Sequence, residues 1–77
     1  MKTFEESGIR CLDLHGVRHD NVEIELIDFC YKYQKQIPLK IICGNSKKMI
    51  DICTKSLGNH GINYDFQRYG IIMVVKM

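Results

Sequence analysis

The strongest constraint on the fold is a pair of segments whose apolar residues recur at helical spacing. Each is entered from a short strand-like run through a polar loop that contains glycine. In the first, Val22, Leu26, Phe29, Cys30 and Tyr33 share one helical face. In the second, Met49, Ile50, Cys53 and Leu57 do the same. The run before the first helix, residues 9–14, puts Leu12 and Leu14 on one side of a strand and Cys11 and Asp13 on the other. The run before the second, residues 39–43, is nearly all apolar, as suits a strand buried in a parallel sheet. Asp20-Asn21-Val22-Glu23 predicts the opening of the first helix, with the two carboxylates satisfying free N–H groups reciprocally. Ile37-Pro38 closes it, because a residue before proline is pushed out of the helical region. Gly58 or Gly61 ends the second helix. Beyond it, Ile62, Tyr64 and Phe66 alternate at period two, Tyr69-Gly70 makes a turn, and residues 71–76 return as a final strand.

The order β-α-β-α-β-β predicts an α/β (α+β) protein. Both helices lie on one face of a four-stranded mixed sheet, largely parallel, whose other face is open. Residues 1–8 read as a polar lead-in and residues 9–77 as a single domain. A chain of 77 residues can close one small core, and 45% apolar with 26% charged residues is the balance of an ordinary globule. The longest apolar run, residues 71–75, is far shorter than a bilayer span, and residues 1–10 lack the apolar stretch of a secretory signal. A cytoplasmic location with no membrane partner is therefore expected. The four cysteines form no C-x-x-C pair and sit in apolar segments, so free, reduced, buried thiols are expected. A net charge of +2 excludes the pervasive basicity of a histone-like protein, which confines any nucleic-acid site to a local patch.

Ligands of open α/β sheets collect beyond the carboxyl ends of the strands. Two polar loops stand there: His15, Gly16, Val17, Arg18 and His19, and Gly44, Asn45, Ser46, Lys47 and Lys48. The second leads into a helix. Its free N–H groups, the Ser46 hydroxyl and the two lysines would suit a phosphate, although the same residues also make a glycine turn, a serine cap and two solvated cations. The spacing is not that of a P-loop. Asp13 and His15, two apart on a strand, have two readings as well. They are an acid–base pair facing a scissile phosphate, or a carboxylate capping loop N–H groups beside a histidine bonded to a nearby carbonyl. No paired zinc-ligand motif occurs, so no metal ligand set is assigned. Of the tyrosines, Tyr69 is expected to be free for stacking, whereas Tyr31 and Tyr33 read as helix packing.

Leu12-Asp13-Leu14-His15-Gly16 resembles the LDLHG signature of the Smr (small MutS-related) domain. After one helix, Ile41-Ile42-Cys43-Gly44-Asn45-Ser46 is similar to that family's second motif, an apolar strand ending in Thr-Gly-x-Gly or His-Gly-x-Gly. Tyr69-Gly70 and the strand after it resemble its closing hairpin. The similarity runs from residue 9 to residue 77, in the manner of a short stand-alone member. It implies a fold similar to the C-terminal domain of translation initiation factor 3. It also implies DNA or RNA binding and, in several members, nicking or endonuclease activity. Carried onto this chain, the implied catalytic residues are Asp13 and His15. The implied phosphate grip is Gly44, Asn45 and Ser46, with Arg18 at a position often basic. Two departures stand out: Cys43 replaces the usual Thr or His, and Ser46 replaces the second glycine.

Three functions follow as expectations. One is an endonuclease in which His15 acts as acid or base and Asp13 orients it or recruits Mg²⁺ or Mn²⁺. Another is a non-catalytic module gripping phosphates with salt-sensitive affinity. The third is a protein-interaction module that uses the open sheet face.

Overall fold

The computed structural model describes residues 2–77. The protein is a mixed α+β fold of two helices and a five-stranded sheet, in the order β1 (Lys2–Glu6), β2 (Ile9–Asp13), α1 (His19–Lys32), β3 (Leu39–Ile42), α2 (Lys47–Asn59), β4 (Asn63–Arg68) and β5 (Ile71–Lys76). Across the sheet the strands run β1-β2-β3-β5-β4. β2 and β3 are parallel, β5 is antiparallel to both β3 and β4, and β1 is antiparallel to β2. Thus α1 crosses over between neighbouring parallel strands. α2 crosses from β3 to the parallel β4, and β5 turns back to fill the gap between them.

Two expectations about the sheet are corrected. It has five strands rather than four, and only one adjacent pair is parallel. The fifth strand comes from the supposed lead-in, of which Met1 lies outside the described residues. Ser7 and Gly8 both adopt positive φ, 52° and 81°, and so form a two-residue turn that folds Lys2–Glu6 back onto β2. The polar sequence concealed this strand because it lies at an edge and most of it is exposed.

Leu12 and Leu14, Leu39 and Ile41, and Ile72 and Val74 project from one face of the sheet. They are fully buried against Val22, Leu26, Phe29 and Cys30 of α1 and Cys53 and Leu57 of α2. The helices also pack against each other, so a single core lies between one helical layer and one sheet layer. Both predicted helical faces are in place. Tyr33 sits at the rim, with its ring 5.2 Å from that of Phe29 and beneath the Arg10 guanidinium at 4.8 Å. The predicted opening of α1 is displaced. Arg18 occupies the N-cap position without a side-chain cap, and Asp20 lies inside the first turn, where its carboxylate meets the positive helix end and Arg18 at 3.5 Å. α1 also ends sooner, giving way to a 3-10 turn at Gln34–Gln36 before Pro38. Tyr31, expected to pack, is half exposed.

All four cysteines are free and buried. Cys11 alone lies on the face away from the helices, flanked in register by Phe4 and Lys40. Cys43 and Cys53 bring their sulfurs to 3.6 Å across the core. Their contact lowers the Cys43 thiol and raises that of Cys53, which burial raises further. Among the described residues, no helix is long and apolar enough to cross a membrane.

Two outcomes are expected. Phe29→Ala should lower unfolding free energy by about 3–5 kcal/mol, read from urea denaturation. Burial pushes the Cys30 thiol up to about 12 from the ordinary 9.0, so the folded protein keeps it protonated where the unfolded chain ionises. Stability from this group is therefore complete below about pH 9 and declines as pH rises toward 12. The urea midpoint should fall between pH 8.5 and 10.5, and less steeply in Cys30→Ala.

Candidate functional site

Strand β3 is the middle of the sheet, and its carboxyl end organises the polar loops. The Leu14 N–H donates to the Ile42 carbonyl at 3.0 Å, tying the end of β2 to the end of β3. One residue on, the Cys43 N–H donates to the Gly70 carbonyl at 2.7 Å, tying the β4–β5 turn to the same point. Residues 15–18, residues 44–46 and residues 69–70 thereby converge at one end of the molecule. Gly70 is fixed in this role by space as well as by its φ of 83°, because a Cβ there would collide with the backbone carbonyl of Gly44. Gly70→Ala should therefore push the two loops apart. The expected result is a clear loss of thermal stability with chemical-shift changes reaching residues 43–46.

The Gly44-Asn45-Ser46 loop feeds α2 as its sequence requires. Ser46 is the N-cap, and its Oγ accepts the Met49 N–H at 3.1 Å, which satisfies one of the free donors of the first turn. No carboxylate stands in that turn, while Lys47 and Lys48 do. The helix end thus keeps its positive character. Lys47 donates to Asp51 Oδ2 at 3.0 Å, one turn on, and this bond raises its pKa. Lys48 is exposed and forms no ion pair among the described residues.

At the neighbouring loop, β2 ends at Asp13, and Asp13 Oδ1 accepts the backbone N–H of His15 at 2.9 Å. The carboxylate therefore steadies the turn and is not bonded to the imidazole. His15 and Gly16 are exposed, as is Arg18, which pairs with Asp20. Val17, Arg18, His19 and Asp20 line a shallow open depression. Among the described residues, no group of three or more His, Cys, Asp or Glu side chains gathers as a metal site.

Backbone bonds and chain continuity bring the predicted site residues to one end: Asp13, His15, Gly16 and Arg18 from one loop, Gly44 to Lys48 from the other. The convergence also brings in residues that motif reading missed. Phe66 and Arg68 of β4 join Tyr69, Lys47, Ile50 and Asp51 around a groove of about 420 Å³ between α2 and the β4–β5 hairpin. Phe66 is 53% and Tyr69 63% exposed. Tyr69 is free as expected. Phe66 alternates with Ile62 and Tyr64 as a core residue would, but on the edge strand β4 it faces the open groove and stays exposed.

Fold and site together define a two-layer α+β domain with a cationic loop end and an aromatic groove beside it. No family model, curated protein or solved structure matches this chain.

Proposed function

We propose that this protein binds nucleic acid through its phosphodiester backbone, as a Smr-like domain. The observation that carries the reading is the convergence of three loops on the end of β3, around a helix N-terminus whose first turn bears Lys47 and Lys48 after the Ser46 cap and no acidic side chain. Lys47 is paired with Asp51, and Lys48 is in no ion pair among the described residues. Backbone N–H groups and a positive helix end favour an anion, and a phosphate supplies one at every nucleotide. The LDLHG strand end and the Gly-Asn-Ser loop stand at this end; the resemblance assigns the phosphate grip to Gly44, Asn45 and Ser46 with Arg18 at an often basic position, and His15, Gly16, Lys47 and Lys48 are proposed to join them. The β-α-β-α-β-β order from β2 to β5 supports the likeness to Smr domains and to the C-terminal domain of translation initiation factor 3. Ser46 in place of a second glycine offers a hydroxyl and restricts the loop, which favours holding a backbone over close approach of the chain to a reacting phosphate.

Phosphodiester cleavage is the second reading. Its support is an exposed His15 directly beyond Asp13, at the same end as the cationic loop. In it His15 carries the proton, as acid or base, and Asp13 holds the turn that presents His15. Mg²⁺ or Mn²⁺ would find the Asp13 carboxylate here, whose Oδ1 already accepts the His15 amide, and Asp20, already paired with Arg18. Mg²⁺ commonly takes few protein ligands and completes its shell with water and substrate phosphate, but among the described residues no group of three His, Cys, Asp or Glu side chains gathers here to hold an ion.

The test is binding of labelled RNA and DNA across a salt series, with cleavage followed in parallel. Lys48→Ala should weaken every strand alike and reduce the slope of log K against log salt by about one. Absence of binding at low salt overturns the proposal. Asp13→Asn retains an acceptor for the His15 amide, so it and His15→Ala should fold normally. A wild-type cleavage product lost in both variants would establish the nuclease, and binding without product in the wild type would establish a recognition module.

A further inference from the structure

The groove between α2 and the β4–β5 hairpin joins features that a phosphate grip does not need. Two aromatic rings, Phe66 and Tyr69, remain more than half exposed along it, with Ile50 beside them. Tyr64 supports the first edge-on, its ring 6.0 Å from that of Phe66 and nearly perpendicular to it. Lys47 and Asp51, at the α2 wall, neutralise each other at 3.0 Å. Arg68 forms no ion pair among the described residues, and its guanidinium is the groove's uncompensated charge.

Such a floor is mostly apolar with Arg68 as its one uncompensated charge, and it offers an aromatic ring more contact than it offers a bare phosphate. An uncharged aromatic ring gains from the exposed tyrosine and phenylalanine, since nucleobases stack on such side chains irrespective of base identity. A free cation beside the rings suits the charge that such a base carries with it on the strand. The groove also adjoins the cationic loop directly: Lys47 belongs to both, and Gly70, next to Tyr69, contacts Gly44.

We infer that this groove receives an unpaired nucleobase, stacked on Tyr69 and Phe66, from the same strand whose phosphate lies at Gly44, Asn45, Ser46 and Lys48. The inference rests on the phosphate-binding reading and deepens it, because it sets the substrate class. Bases in a continuous duplex are stacked on one another and offer no free face, so the protein selects single-stranded or locally unpaired nucleic acid over intact duplex.

Fluorescence anisotropy with three labelled probes tests this: a 12-nucleotide single strand, the same strand as a blunt duplex, and the same strand with abasic sites throughout. The single strand should bind at least about tenfold more tightly than either of the others, in line with the usual worth of one stacked base. Tyr69→Ala and Phe66→Ala, both at exposed positions, should remove most of that preference, and Tyr69→Phe should keep it. The chain has no tryptophan and four tyrosines, so the single strand should also quench part of the tyrosine emission, and Tyr69→Phe should lose that part. Equal affinity for all three probes, unchanged in Tyr69→Ala but weakened in Lys48→Ala, would overturn base stacking and leave the phosphate grip standing. No binding of any probe would overturn both. Capture of the groove by an apolar peptide, with no nucleic acid bound, would assign it to a protein partner instead.

Discussion

Strand β3 is the member on which the rest of the protein hangs. It is four residues long, Leu39–Ile42, yet it pairs with β2 on one side and β5 on the other. Its Leu39 and Ile41 belong to the core, and one crossover helix precedes it in the chain while the other follows it. Two hydrogen bonds at its carboxyl end, one through the Ile42 carbonyl and one through the Cys43 amide, draw in loops that are far apart in sequence. The candidate site follows from these pairings. Its loops are short and polar, and they hold position because each is fastened to the best-buried strand.

The helices and the strands beneath them were legible from periodicity, since burial imposes that pattern on the residues that make the core. Val22, Leu26, Phe29 and Cys30, and Met49, Ile50, Cys53 and Leu57, are all buried, and each set was marked by spacing alone. Residues under weaker constraint were harder to read. Lys2–Glu6 forms an edge strand with little buried area, so its pattern is set by solvent, and the Ser7-Gly8 dipeptide, a turn signal, is the feature that could have marked it. The start of α1 was misplaced for a related reason: an acidic residue suits both the cap and the first turn, and Asp20 takes the second place.

The site was legible in part. Its motifs gave the residues of the two loops, but not their convergence with the hairpin, which depends on β5 inserting between β3 and β4. Asp13 and His15 illustrate the limit of spacing arguments. Period two anticipates side chains side by side on a strand, yet β2 stops at Asp13 and the chain turns, leaving the carboxylate on the backbone of His15. Phe66 carries the converse lesson. Its alternation is that of a core residue, yet on the edge strand it lines an open groove beside α2 and stays 53% exposed.

The close approach of Gly70 to the Gly44 carbonyl makes the hairpin turn and the loop before α2 a single mechanical part. Neither can lengthen, or gain a side chain at the contact, without displacing the other. Sequence drift at this end of the fold is therefore channelled away from loop length and into the side chains around the contact, at Asn45, Lys48, Arg68 and Tyr69. A protein built this way changes its preferences by recolouring a fixed surface rather than by reshaping it.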